Sequence, residues 1–157
     1  MRTPLLFVLS AVLITCTACG GGDPRTAAQD ALNSGDYPTA VAKFDAALRD
    51  AEAGSADYVA LSVDRCRALA HQDGAKAKAE FLALAASSNL EVGDYTLVVS
   101  ELLNVQQWVP AIELMDAGVK AFPENPKMGL LRKQVVAKST ESGDDAANDL
   151  LKGMGYL

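Results

Sequence analysis

Histidine is almost missing from this chain: His71 is the only one in 157 residues. That excludes any metal site or proton relay built on two imidazoles. Cysteine is also scarce. Of the three, Cys16 and Cys19 lie near the N-terminus, which leaves Cys66 alone in the body of the chain. A lone cysteine forms no internal disulfide, so the domain must stand on its own core. Aromatic residues make up 6% of the chain, with one tryptophan. An alanine-rich, aromatic-poor composition favours packed helices over sheets. Bases are outnumbered by acids, 14 to 20. Phosphate binding needs a basic footprint, so nucleic acid is excluded as the general partner.

What is present begins with Met1-Arg2 and the apolar run LLFVLSAVLI, Leu5 to Ile14. The run is too short to span a bilayer as a helix and suits the hydrophobic region of a signal peptide. The sequence CTACGGGD, Cys16 to Asp23, comes next. This region resembles a bacterial lipoprotein signal, in which a lipid is attached to the cysteine that becomes the first mature residue. The resemblance implies a signal peptide over residues 1–18, palmitate-bearing lipid on Cys19, a glycine-rich tether over 19–24 and a folded domain over 25–157. Cys16 stands where the family usually has an aliphatic residue; with Leu13 three before it, Cys16 is the alternative acceptor. In diderm bacteria an Asp after the acceptor is the usual inner-membrane retention signal. Gly20 occupies that position, which implies the outer membrane, or the cell membrane where there is only one, with the domain facing the periplasm or the exterior. Removal of Arg2 leaves thirteen bases against twenty acids, a charge of −7.

The most informative stretch is GDYPTAVAKFDAAL, residues 35–48. Gly35 can end a helix with positive φ, Asp36 can cap the next one, and Pro38 is tolerated in its first turn. Tyr37, Ala40, Val41, Phe44, Ala47 and Leu48 then recur at helical spacing. The pattern returns from Gln106 to Pro126, with Trp108, Pro110, Ala111, Met115, Gly118 and Val119, and more weakly at Ala77, Phe81 and Leu84. Ala40 to Ala77 is 37 residues and Ala77 to Ala111 is 34. Gly143-Asp144 opens a truncated last unit.

A period near 34 with these residues resembles the tetratricopeptide repeat. The resemblance implies an all-α, right-handed solenoid of helix pairs: three full repeats, a partial fourth, and helices at about 25–34, 37–51, 56–71, 74–86, 91–104, 107–121, 126–140 and 144–153. Tyr95, Val98, Val99 and Leu102 fall on the stripe of the family's first helix, whereas the first unit offers only Ala27, Ala28 and Ala31. In the second unit, Tyr58, Leu61 and Ser62 fit if the turn between the helices is about three residues longer.

No set of residues converges for catalysis, so no enzyme activity, cofactor or metal is expected. Cys66 reads as a buried structural residue, His71 as a polar residue near a helix C-terminus, and Glu113 and Asp116 as solvated helix charges. The family's groove is lined by the first helix of each repeat. That pattern implies groove positions at Arg25, Gln29, Leu32 and Asn33, at Thr96, Ser100, Leu103 and Asn104, and at Lys133, Ala137 and Thr140. Protein or extended peptide is the implied ligand, held without covalent chemistry by a membrane-anchored adaptor. A non-catalytic accessory subunit of an envelope enzyme, such as a peptidoglycan hydrolase, is the alternative. Lys120, Lys127, Arg132, Lys133 and Lys138 stand out from the acidic background. They read as a solvated helix face or as a docking patch for an acidic partner or anionic lipid.

Overall fold

The computed structural model describes residues 23–157. Residues 1–22, on which the expected signal peptide, Cys16, Cys19 and most of the expected tether fall, lie outside the described residues. Eight helices follow one another: α1 (Pro24–Asn33), α2 (Tyr37–Asp50), α3 (Ala56–Ala70), α4 (Gly74–Ser87), α5 (Val92–Asn104), α6 (Trp108–Ala121), α7 (Pro126–Glu141) and α8 (Asp145–Gly153). No strand occurs among the described residues. The protein is all-α, and every helix lies within three residues of its expected bounds.

The starts are fixed by side chains that satisfy free backbone amides. Asp23 accepts from Arg25, Asp36 from Thr39, Ser55 from Tyr58, Asp73 from Lys76, Asn125 from Lys127 and Asp144 from Ala147. Asp23 and Pro24, expected in the tether, are therefore the cap and first residue of α1. Prolines sit in the first turns of α1, α2 and α7, where a missing amide costs nothing.

Each hairpin closes through a three-residue turn: 34–36, 71–73, 105–107 and 142–144. Gly35 and Gly143 hold φ of +79° and +71°, and Gln106 adopts +60° at the same place. In the first and third turns the amides of Asp36 and Gln107 reach back to Ala31 and Leu102, closing the helix ends. The second turn has no left-handed residue; there Asp73 bonds Leu69. The longer turn expected in this unit is not found. Its extra residues lie in α3, which has 15 residues against 13 in α5, and in the five-residue link 51–55. Lengthening a helix preserves its hydrogen bonds, whereas lengthening a tight turn would expose new backbone groups.

The second helix of every hairpin carries a small residue and a large one four positions apart: Ala40–Phe44, Ala77–Phe81, Ala111–Met115 and Ala147–Leu151. All eight are fully buried. The alanine lets the partner helix approach, and the large side chain fills the space one turn on. In α8 the pair sits one residue closer to its cap than in the others, which is why the sequence pattern faded there. Gly118 makes the tightest approach, since a Cβ there would lie 2.4 Å from Met128 Cε and 2.9 Å from the Tyr95 ring.

Successive hairpins pack on one another; α4 and α5 are the one successive pair of helices that do not pack closely, and α3–α5 and α4–α6 join their hairpins instead. Each first helix, α1, α3, α5 and α7, packs on its own hairpin partner, and α1–α3, α3–α5 and α5–α7 contacts join them in one row. Of the second helices, α4, α6 and α8 form a continuous row. The buried core divides at the first hairpin. Ala28, Leu32, Ala40 and Phe44 cluster with Leu61 and Ala68 of α3, while the larger cluster runs from Val63 to Leu151.

Ala111→Asp places a charge where no water reaches. It is expected to cost about 3 kcal/mol or more, read as a lower urea midpoint with reduced helical circular dichroism. Unchanged melting would show that α5 and α6 do not meet at this alanine.

Candidate interaction surface

The first-helix row carries the inner-groove positions that the sequence singled out. On α1, Arg25 and Asn33 are exposed and Gln29 is half-buried. Gln29 Nε2 donates to Asn33 Oδ1 at 3.3 Å, and Arg25 turns to Asp57 on α3 at 2.7 Å. On α5, Thr96 and Ser100 are half-buried and Asn104 is exposed. The Thr96 hydroxyl donates back to Val92 O at 2.9 Å, so its hydrogen is committed within the helix. On α7, Lys133, Ala137 and Thr140 are all exposed.

Two expected surface positions are core instead. Leu32 and Leu103 are buried, at 6% and 3% exposure, because each sits beside the apolar stripe of its helix and is covered by the neighbouring hairpin. The α1 and α5 polar sets are also not contiguous, since α3 lies between them and packs on both.

What α3 brings to the gap is an ionic cluster that sequence reasoning left out. Arg67 donates to Asp64 at 2.8 Å and lies 3.5 Å from Glu101 of α5, while its Nε is buried without a hydrogen-bond partner. His71 Nε2 contacts Glu101 Oε1 at 2.7 Å. The His71 ring stacks on Tyr37 of α2, with centroids 3.5 Å apart. His71 does close α3, as expected, but it also ties three successive hairpins together. The signal that could have exposed this was a run of charge, Asp64-Arg65 and Arg67, interrupting the apolar stripe of α3. Exposed Leu97 and Leu130 were missed as well, at 46% and 66%.

A second polar network lies on the opposite side of α3. Arg65, with its side chain 17% exposed, donates to Asp45 of α2 at 2.5 Å and to Glu80 of α4. Burial opposes the charge of Arg65, but the hydrogen bond to Asp45 and the nearby carboxylates outweigh it, and its pKa is raised. This guanidinium floors a cleft of about 350 Å3 between α2 and α4, lined also by Leu48, Tyr58, Ser62 and Leu84. The cleft exists because α2 and α4 are the one pair of consecutive second helices that do not pack closely. Cys66 borders it but is only 2% exposed. Burial, followed by the charge of Glu80, pushes the thiol up to about 12. It is held as an inert thiol, matching its reading as a structural cysteine.

Glu113 and Asp116 are not simple solvated charges. Lys78 of α4 reaches Glu113 at 2.5 Å. Asp116 accepts from the Tyr156 hydroxyl at 2.9 Å and pairs with Lys120 at 2.7 Å. Lys120 is thus an α6 residue with an internal partner and does not belong with the α7 cations. Among the described residues, no group of three or more His, Cys, Asp or Glu side chains is placed to hold a metal, and no helix is long and apolar enough to cross a membrane.

Comparison of the chain with family models, curated proteins and solved structures found no match.

Removing Arg65 leaves Asp45 and Glu80 facing a cleft without their shared cation. Arg65→Ala is expected to cost about 2 kcal/mol in urea unfolding. That is below the ~3–5 kcal/mol of a fully buried pair because both carboxylates keep access to water. Adding Asp45→Asn and Glu80→Gln should recover part of the loss; no recovery would show that packing, not charge, is what Arg65 supplies. The native thiol of Cys66 should resist iodoacetamide at neutral pH and react stoichiometrically in urea. Rapid native labelling would mean that α3 opens locally.

Proposed function

We propose that the chain is a lipid-anchored helical-repeat adaptor of the bacterial envelope. In this reading four tetratricopeptide-like hairpins form a right-handed solenoid whose first-helix face binds a protein or extended peptide. The observation that carries it is the packing of the four hairpins in chain order, with the first helices in one row and Ala–large pairs recurring inside each second helix. A stack of this kind gives an extended surface with no catalytic demand on it. Support for a polypeptide ligand comes from side chains suited to backbone amides and carbonyls, chiefly Asn33, Ser100 and Asn104. The lipid anchor rests on the sequence around Cys19, and its role is to confine this surface to a membrane.

Cys19→Ala should shift the full-length protein from the membrane fraction to the soluble fraction; continued membrane association would remove the anchor from the proposal. In-cell crosslinking of the tagged protein, followed by mass spectrometry, should recover one dominant envelope protein. The paired variant Asn33→Ala and Asn104→Ala should lose it. Recovery unchanged by that variant would move the docking surface away from the first-helix face.

A further inference from the structure

Cations are the minority charge in this protein, and most of those in its middle are already engaged. Arg65, Arg67 and Lys78 each have a carboxylate partner, and Lys120 has Asp116. Among the described residues Lys43, Arg49 and Lys76 have none within 4.0 Å, but helix α7 gathers four such cations on one element. Lys127, Arg132, Lys133 and Lys138 are all exposed, and none has a carboxylate within 4.0 Å among the described residues. Glu141, in the last turn, is the helix's only acid. The α5–α6 hairpin immediately before it carries five acids, counting Glu91, and one base, so the positive field of α7 has a sharp boundary.

These charges surround apolar surface. Lys127, Leu130, Gln134, Lys138 and Glu141 follow one another at three- and four-residue spacing, with Lys133 and Ala137 beside them, and all are exposed. Leu130 is 66% exposed, the most exposed of the large hydrophobic side chains among the described residues. Lys133 and Ala137 also edge a cavity of about 440 Å3 between α7 and the C-terminal turn, completed by Arg132, Val136, Gly155 and Tyr156. That turn is pinned in place. The Tyr156 hydroxyl donates to Asp116, its amide bonds Leu151 O, and Arg132 lies 6.0 Å above its ring. The cavity wall is therefore held by contacts to α6, α7 and α8 rather than by a free tail.

We propose that α7 and the C-terminal turn form a docking site for an acidic peptide segment carrying one apolar side chain. Lys127, Lys133 and Lys138 meet the acids, Leu130 meets the apolar residue at the surface, and Arg132 stands at the cavity beside Val136, Ala137 and Tyr156. Charge complementarity selects an anionic occupant. The open recess beside Tyr156 favours a peptide over a lipid surface, because a single side chain can enter it and a plane of headgroups does not. The proposal rests on the reading of the protein as a docking module, and it assigns the partner's chemistry at one end of that module.

The test uses the full-length protein in detergent and a fluorescein-labelled peptide of about twelve residues, with Leu at the centre and Glu and Asp elsewhere. Anisotropy should rise on binding, and the apparent Kd should weaken about tenfold or more between low and physiological salt. Lys127→Glu with Lys133→Glu should weaken it at least tenfold, and Leu130→Ala about threefold. Circular dichroism should be unchanged, since all three side chains are exposed. Binding that survives the charge reversal, or no binding at low salt, overturns the proposal. So does α7-dependent capture by vesicles containing about 30% phosphatidylglycerol when the peptide does not bind. Loss of peptide binding in the Asn33→Ala and Asn104→Ala variant alone would also overturn it, while leaving the first-helix reading intact.

Discussion

Everything else in this structure depends on close helix approach through alanine. Ala40, Ala77, Ala111 and Ala147 are each fully buried, with a large side chain four residues on. A small residue at the crossing removes the spacing that a leucine would impose, and the large neighbour restores packing density one turn later. Repeating that pair lets hairpins of nearly equal shape stack, although the chain has few aromatics with which to build a bulky core. Gly118 takes the same logic furthest, because its missing Cβ is the space that Tyr95 and Met128 occupy.

Where apolar packing thins, charge takes its place. The buried core of the first hairpin is mostly alanine, and it forms a separate cluster with Leu61 and Ala68 of α3. Across that junction run Arg25–Asp57, Arg65–Asp45 and the stack of Tyr37 on His71. Partly exposed ion pairs contribute little each, and salt screens them. These contacts add a salt-sensitive component to the close packing of α2 on α3. The cleft beside Arg65 lies where α2 and α4 do not pack closely, and a guanidinium with two carboxylates lines it.

The polar surface divides in a related way. The α1 and α5 sets each lie along one helix with α3 between them, and α3 fills its place with Asp64, Arg67 and His71. On α7, by contrast, Lys127, Lys133, Lys138 and Leu130 are all exposed, so its outward side differs chemically from those of α1 and α5.

The sequence by itself determined the helices. Cap residues, first-turn prolines and a 3.6-residue apolar rhythm are local features, and they placed all eight elements as well as the buried Ala–large pairs in the first three hairpins. Cys66 as a buried residue was legible for the same reason, lying in an apolar-periodic segment. Only the tertiary structure decided which polar residues face outward and which meet each other. Leu32 and Leu103 became core because a neighbouring hairpin covers them, and Asp116 became the partner of Tyr156, forty residues away. The extra residues of the second unit entered α3 and its leading link rather than the turn, a choice made by the hydrogen-bonding cost of opening a tight turn. These outcomes depend on contacts between elements distant in the chain, and a local pattern carries the propensity of each element but not the identity of the surface it will meet.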